Sequence, residues 1–212
     1  MKKLVNDVQW LHFTNNHTGK MEDLVSLSTS NHENARCDMY KNIPGAVCGG
    51  CFADKIENRY DALSVALMNN GYALKFSVID WDMIPRLNVA YFRIEAFGDI
   101  ETQEQAYNYY QLIKKNPHTR FAWFTKNADI MGQLFKEFEK PENVTIIYSS
   151  ILLNKPSRIG AWWCDHVFTV YTKEYINAHP EIIINCGALH CFTCGKCYNG
   201  QYKEKYINEL LK

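Results

Sequence analysis

The sequence predicts an α/β fold built on a parallel sheet, and three observations lead to this class. Short runs rich in β-branched and aromatic residues alternate with helical stretches from Leu24 onward. Connections through helices return successive strands in the same direction, so the strands are expected to be parallel. The chain has 212 residues, of which 47% are hydrophobic, and this suits one domain with a substantial core.

Six segments have the composition of strands. The first mixes apolar and hydroxyl side chains and is followed by a loop in which Pro44-Gly45 is a turn signal. The last runs directly into Cys186. The predicted strands are residues 24–30, 89–97, 120–125, 144–148, 166–171 and 181–185.

Helices are expected between these strands. Apolar spacing predicts a helix over residues 53–70, with Gly71 as its stop. Thr102 is the expected N-cap of a helix that ends at residue 115, and Asn127 or Asp129 begins another that runs to about residue 140. We expect a single domain over residues 1–212, divided into a β/α core at 24–185, a cysteine segment at 186–200 and a terminal helix at 201–212.

Composition limits the classes of function. Lys plus Arg and Asp plus Glu both number 23, and a neutral chain does not favour nucleic acid, whose phosphates attract clustered positive charge. No apolar run approaches the roughly 20 residues that cross a bilayer, and Asn6 and Asp7 interrupt the first apolar residues, unlike a signal peptide. We expect a cytoplasmic protein, in which eight cysteines indicate metal binding or catalysis rather than disulfides.

Four of the cysteines form a set near the C-terminus. Their spacing is C-x4-C-x2-C-x2-C, with the ligands Cys186, Cys191, Cys194 and Cys197. Structural zinc usually takes two C-x2-C pairs separated by a longer loop. Three cysteines at successive gaps of two instead resemble the compact ferredoxin run that wraps an iron–sulfur cubane. Zinc remains the alternative, because spacing alone does not settle the metal, and His190 is an alternative ligand.

Three more cysteines lie near the N-terminus, at Cys37, Cys48 and Cys51, with the spacing C-x10-C-x2-C. Three thiolates leave one position on a cubane open for water, substrate or a cofactor. His32, Asp38 or Cys164 are the candidates to close it. Cys164, which stands apart, is otherwise expected to be a small buried hydrophobe.

Both cysteine sets are expected at one edge of the sheet. The first set follows the first predicted strand, and the second set follows the last one. Functional loops of parallel sheets lie at the carboxyl ends of the strands. The pattern therefore predicts that the two sets meet on one rim, and a single larger cluster that uses seven or eight cysteines is a further possibility.

These motifs resemble those of the radical S-adenosylmethionine (SAM) superfamily. The loop after the first strand ends Cys48-Gly-Gly-Cys51-Phe-Ala, and the strand end Phe97-Gly98-Asp99-Ile-Glu101 is similar in position to that superfamily's Gly-Gly-Glu segment. The first cysteine gap is ten residues here and three in the superfamily. Over residues 24–198 the chain also resembles an uncharacterised cysteine-rich family of phages and mobile elements, through Arg93 with Gly98-Asp99 and through the segment from Cys186 to Tyr198.

The resemblance implies a partial (β/α)6 barrel that is radical-SAM-like, with one or two [4Fe-4S] clusters and SAM as a possible cofactor. Gly98, Asp99 and Arg93 would then contact the cofactor or the substrate. We expect an iron–sulfur enzyme that acts on a small-molecule or macromolecular substrate and takes electrons from a reductant protein. The alternatives are a non-catalytic iron–sulfur electron carrier or redox sensor, and a zinc-binding interaction module.

Charged residues near the strand ends are further candidates. Even spacing places Arg93, Glu95 and Asp99 on one face of an unbroken strand, where they would bind a polar ligand or form a buried ion pair. Lys126 directly follows a strand and would contact a carboxylate or phosphate if it is not simply solvated. The pair Trp162-Trp163 is expected to pack in the core or at an interface.

Overall fold

The computed structural model describes residues 11–16 and 18–211. Residues 1–10, on which the expectation about a signal peptide rests, lie outside the described residues, as does the last residue of the predicted terminal helix. No helix in the described part of the chain is both long and apolar enough to cross a membrane.

A seven-stranded sheet forms the centre of the structure, with its strands in sequence order. The second to seventh strands pair in parallel, and the first pairs antiparallel with the second. The strands are β1 (Thr14–Asn15), β2 (Val25–Leu27), β3 (Tyr91–Ile94), β4 (Arg120–Thr125), β5 (Val144–Ser149), β6 (His166–Tyr171) and β7 (Tyr206–Leu210). The predicted α/β class and parallel sheet are confirmed.

Seven α-helices accompany the sheet in the described residues, and short 3-10 helices lie between them. The α-helices are α1 (Ala35–Lys41), α2 (Phe52–Glu57), α3 (Asp61–Lys75), α4 (Gln103–Lys115), α5 (Ala128–Glu137), α6 (Lys173–Ala178) and α7 (Cys191–Cys194). The predicted N-cap of α4 is confirmed, because Thr102 Oγ1 accepts a hydrogen bond from Gln105 N at 3.1 Å. Asn127, rather than Asp129, caps α5 through Ile130 N at 3.3 Å.

The helix predicted over residues 53–70 is two helices, and Gly71 does not end the second one. The chain breaks between α2 and α3 at Tyr60, whose backbone is extended. Helix α3 continues through Gly71 to Lys75, which is buried. The Lys75 ammonium pairs with Glu101 and donates to Glu33 O at 2.9 Å, so tertiary contacts hold the last turn in place.

The C-terminal region differs most from the prediction. Residues 181–185 form no strand, and residues 206–210 are the strand β7 instead of part of a helix. Residues Tyr206 to Leu210 each pair with a residue of β6, and this ladder outweighs the weak helical pattern of the sequence. The isoleucine-rich run before Cys186 only borders β7, and Ile183 is 74% exposed.

The two faces of the sheet are covered by different parts of the chain. Helices α3, α4 and α5 cover one face, where Phe92, Phe121 and Trp123 are fully buried together with Tyr109 and Met131 of the helices. On the opposite face lies a smaller cluster built from Leu24, Ala122, Ile147 and Tyr198. Tyr198 belongs to the cysteine segment, so that segment closes the face that the helices leave open.

The sheet is open, but its flanks approach each other. In the described residues β1 and β7 are the edge strands and do not pair with each other. Lys20, between β1 and β2, nevertheless forms an ion pair with Glu209 of β7. Five strand spacings of a flat sheet would separate β2 from β7 by about 24 Å. The connection that carries Lys20 therefore extends across the face that carries the cysteine segment, where Lys20 also contacts Cys186.

Glu95 lies at the point where β3 ends. Its φ of +53° turns the backbone out of the strand, so the predicted common face of Arg93, Glu95 and Asp99 is wrong. The Glu95 carboxylate points toward α4, where it accepts hydrogen bonds from Tyr109 Oη at 2.7 Å and Gln105 Nε2 at 2.8 Å. Thr29 N donates to it at 3.1 Å. Burial raises the pKa of Glu95 to about 7, although the hydrogen bonds from Tyr109 and Thr29 oppose the rise.

The raised pKa of Glu95 predicts how stability depends on pH. Because the folded-state pKa exceeds the ordinary value of 4.5, this contribution to stability is fully present below about pH 4.5 and is lost as the pH rises through about 7. The loss amounts to about 3 kcal/mol. Urea unfolding at several pH values should show a smaller decline for Glu95→Gln than for the wild type. The control Glu104→Gln removes an exposed carboxylate of α4 and should retain the wild-type decline; an equal decline in all three proteins would contradict the assignment.

Candidate metal centres

The first cysteine set lies at the carboxyl edge of the sheet, in the loop that follows β2. Cys37 is in the first turn of α1, Cys48 is in the 3-10 helix Val47–Gly50, and Cys51 directly precedes α2. Asn34 caps α1 by accepting a hydrogen bond from Cys37 N at 3.0 Å. The Asn34 amide also donates to Asp99 O at 2.7 Å, so the helix that carries Cys37 is attached to the end of β3.

The same loop is anchored on the far side of the edge. Val47 N donates to Ile151 O at 2.9 Å, and Leu153 N donates to Gly45 O at 2.9 Å. Gly45 has a φ of +76°, which suits glycine at this turn. Because residues 151–153 follow β5, the cysteine loop crosses the carboxyl edge from β2 to β5. Its three sulfurs are thereby fixed from both sides.

Lys126 supplies positive charge to the first set. Burial lowers the pKa of Lys126, but the negative charges of Cys48, Asp99, Cys37 and Cys51 outweigh this effect and raise it. Burial raises the pKa of the Cys48 thiol, and the Lys126 charge opposes the rise. Among residues 11–16 and 18–211, the Lys126 ammonium forms no ion pair with a carboxylate. The three thiols and this ammonium group therefore share one electrostatic environment.

Asp99, one of the predicted cofactor-binding residues, joins the ends of two strands. Its Oδ1 accepts from Thr125 Oγ1 at 2.6 Å and from Ile100 N at 2.8 Å, and its Oδ2 accepts from Lys126 N at 2.7 Å. Both carboxylate oxygens therefore bind groups of the protein itself. Asp99 positions the backbone of Lys126, and its charge raises the pKa of Cys37 after the larger effect of burial.

The second cysteine set lies on the sheet face opposite α3 to α5. Cys191 and Cys197 are partly buried and pack against the cluster that contains Leu24 and Ala122. Tyr198 stacks on Tyr91 of β3 with a ring-centroid separation of 4.8 Å. A small cavity lined by Cys194, Tyr91 and Arg120 lies where β3 and β4 begin. The set therefore lies over the amino-terminal half of these strands.

The predicted meeting of both sets on one rim is wrong. The prediction took residues 181–185 as the last strand, so that the four cysteines would follow it at the carboxyl edge. The last strand is β7, and the cysteines precede it. The connection from β6 to β7 carries them across the open face, while the first set stays at the carboxyl edge.

Arg93 faces the second set. Its guanidinium carbon lies 3.3 Å from the centre of the Phe124 ring, and its buried Nε has no hydrogen-bond partner among the described residues. Burial lowers the pKa of Arg93, and the ionised forms of Tyr198, Cys197 and Cys191 oppose this effect. Burial raises the pKa of Cys197 to about 12, and the Arg93 charge opposes that rise. Arg93 forms no ion pair with a carboxylate of the described residues.

Lys20 is a second cation at this set, and spacing along the chain does not indicate it, because 166 positions separate it from Cys186. Lys20 Nζ donates to Cys186 Sγ at 3.2 Å and also pairs with Glu209. Burial raises the pKa of Cys186, and Lys20 opposes the rise. Cys186 is further held by its backbone, since Cys186 N donates to Asn208 O at 3.0 Å.

The residues predicted as alternative metal ligands have other neighbours in the structure. Cys164 is buried in the core beneath α5 and donates to His166 O at 3.2 Å, as expected for a small buried side chain. His32 Nε2 lies 3.3 Å from Asp54 Oδ1, and His190 Nδ1 lies 3.4 Å from Glu22 Oε2. The Asp38 side chain is 63% exposed and lies 3.8 Å from Lys41. Trp163 is buried in the core, whereas Trp162 is exposed.

A single zinc ion and an iron–sulfur cubane require different spacings of their cysteine ligands. In the described part of the chain, no three His, Cys, Asp or Glu side chains are arranged to hold a single metal ion. Tetrahedral zinc needs its sulfurs about 3.8 Å apart, whereas each thiolate of a cubane binds a different iron and the sulfurs lie further apart. Seven cysteines in two separate sets, each beside a cation that forms no ion pair with a carboxylate of the described residues, are the type of donor that an iron–sulfur cluster takes.

Comparison with known proteins places the chain in a family without naming an activity. A family model described as "Gene product 88" matches residues 10–205. No curated protein matches the chain, and no solved structure does. The match agrees with the resemblance to a phage-borne family, and no comparison supports the resemblance to the radical SAM superfamily.

The packing of Gly98 against β2 predicts a sharp cost for any side chain there. Gly98 has a φ of +66°, and an added Cβ would lie 2.7 Å from Thr29 O. Gly98→Ala should lower the free energy of unfolding by at least about 2 kcal/mol, from the strained dihedral and the backbone clash. Urea unfolding measures the change. Gly160→Ala is the matched control, since an added Cβ there meets nothing within 4 Å; equal losses in both variants would contradict the argument.

Proposed function

The chain belongs to the gene product 88 family, and we propose that it is an iron–sulfur protein in which the two cysteine sets hold separate clusters. The proposal rests on where the eight cysteines lie in the structure. Cys164 alone is buried in the core, whereas the other seven are partly exposed and form two groups, one at the carboxyl edge and one on a face of the sheet. Buried core packing explains the first of these placements but not the second.

The two sets would differ in what they offer. Cys186, Cys191, Cys194 and Cys197 supply four thiolates and would close a cluster against the sheet. Cys37, Cys48 and Cys51 supply three and would leave one iron without a protein ligand at the carboxyl edge. Bound at such sites, iron–sulfur clusters supply one-electron transfer and, at an iron with an open position, a site for a substrate atom. The open position makes an enzyme the favoured form of the proposal over an electron carrier.

The residues around the first set have definite tasks in this proposal. Asn34 orients the first turn of α1 and so directs Cys37 toward the edge. The contacts of Gly45 and Val47 with residues 151–153 hold Cys48 and Cys51 on the same side. Lys126 balances the negative charge that three thiolates bring together. A zinc-binding module is the weaker alternative, because its single-ion geometry is absent from the described residues.

The native metal content tests the proposal. Protein purified without oxygen should contain iron and acid-labile sulfide and should absorb near 400 nm. Cys48→Ser should lose the iron of the first set only, and Cys194→Ser should lose that of the second set only. Cys164→Ala is the control and should keep the full iron content, because this thiol packs in the core. A colourless wild-type protein that contains only zinc, or no metal, would overturn the proposal.

A radical SAM-like activity is the finer form of the same proposal. Six parallel strands in sequence order and a three-cysteine loop after the first parallel strand support it. The loop after β3 does not support it, because both carboxylate oxygens of Asp99 accept hydrogen bonds from the protein itself. Any amino group of SAM would therefore have to bind other residues of the edge.

Titration with SAM separates the two forms of the proposal. If the open iron takes SAM, calorimetry of the iron-loaded protein should show one binding site, and Cys48→Ser should abolish it. Cys194→Ser should keep that site, since the second set lies on the sheet face. Binding that persists in Cys48→Ser, or no binding by the loaded wild type, would count against SAM and leave the iron–sulfur proposal standing.

A further inference from the structure

Besides Lys20, which contacts Cys186 and pairs with Glu209, two cations from neighbouring strands face the cysteine sets. Arg93 of β3 faces Cys191 and Cys197, and Lys126, directly after β4, faces Cys37, Cys48 and Cys51. Neither cation forms an ion pair with a carboxylate in residues 11–16 and 18–211. Asp99 lies near Lys126 and Glu209 lies near Arg93, but neither carboxylate forms an ion pair with the cation. A cation withdrawn from water is stabilised by a negative group in direct contact, and a thiolate-bound cluster would supply one at each place.

Arg93 is held rigidly in this position. Register pairs it with Ser26 of β2 and Ala122 of β4, so its neighbours in the sheet are uncharged. Its guanidinium lies on the Phe124 ring at 3.3 Å, which fixes the plane of the group. The buried Nε remains without an acceptor among the described residues. This donor is free to bind an acceptor that the described residues do not supply.

Lys126 lies beside the first cysteine set at the carboxyl edge, as Arg93 lies beside the second set. Its backbone N donates to Asp99 Oδ2 at 2.7 Å, which fixes where the side chain starts. Its backbone O lies 3.5 Å from Tyr40 Oη of α1, the helix that carries Cys37. The lysine is thus attached to the loop whose thiols it faces.

We infer that Arg93 and Lys126 are positioning residues that set the reduction potentials of the two centres, each for its own cysteine set. This inference rests on the proposed clusters. Reduction adds one electron to a group that is already anionic, and a nearby fixed cation stabilises the reduced form and raises its potential. Phe124 of β4, whose ring contacts the Arg93 guanidinium, lies two residues before Lys126 along the chain.

Potentiometric titration of four anaerobically loaded full-length proteins tests this assignment: the wild type, Arg93→Gln, Arg93→Lys and Lys126→Gln. The two centres are told apart with Cys48→Ser and Cys194→Ser, each of which retains one centre. Arg93→Gln should shift the reduction equilibrium of the second centre at least tenfold toward the oxidised form, or about 59 mV for one electron, and leave the first unchanged. Lys126→Gln should give the reciprocal result, and Arg93→Lys should stay close to the wild type.

Each glutamine variant is expected to shift the potential of one centre only, so the other centre is its internal control. Equal shifts of both centres in either glutamine variant, or no shift in either, would overturn the assignment. If Arg93→Gln does not fold, Lys126→Gln decides alone, because Lys126 follows β4 and does not lie within the sheet. Iron and sulfide contents are measured before any potential, so a failure of the proposed clusters is seen as an iron-free wild type and is distinct from unshifted potentials.

Discussion

The parallel pairing of β7 with β6 determines where the second cysteine set lies. Residues 206–210 pair with β6 along five positions, and a parallel strand can be reached only through a long connection. That connection contains all four cysteines from Cys186 to Cys197. Since α3, α4 and α5 cover one face, the connection closes the other, and Tyr198 becomes buried against Tyr91. The separation of the two sets is thus a consequence of strand topology.

The pairing of charged side chains is a second constraint on the structure. The described structure pairs most of its buried charges internally: Lys75 binds Glu101, Lys20 binds Glu209, and Glu95 accepts hydrogen bonds from three residues. Arg93 and Lys126 are different, because neither forms an ion pair with a carboxylate of the described residues, and thiols lie close to both. Thiols carry full negative charge only when they are deprotonated, and metal ligation is the ordinary way to deprotonate them near neutral pH. The unpaired cations and the grouped cysteines therefore support the same interpretation.

The sequence predicted the centre of the fold because its strands and helices are locally consistent. Five of the six predicted strands correspond to β2 to β6, and the caps at Thr102 and Asn127 lie where the residue types indicate. The sixth strand was misplaced because Ile182 to Ile184 resemble a strand locally, whereas β7 is selected by its pairing with β6. This one error also produced the wrong expectation of a shared rim.

Other parts of the site depended on information that a single sequence does not contain. The positive φ of Glu95, a residue that is not glycine, separates its side chain from that of Arg93. The contact of Lys20 with Cys186 joins residues that are distant along the chain. Both features arise from tertiary packing, so neither spacing nor composition indicates them.

The most direct measurement is anomalous scattering at the iron absorption edge from crystals grown without oxygen. The account predicts two separate iron centres, one beside Cys37, Cys48 and Cys51 at the carboxyl edge and the other beside Cys186, Cys191, Cys194 and Cys197 on the face opposite α4. The absence of iron at both places, or one merged centre that gathers cysteines from both sets, would contradict it.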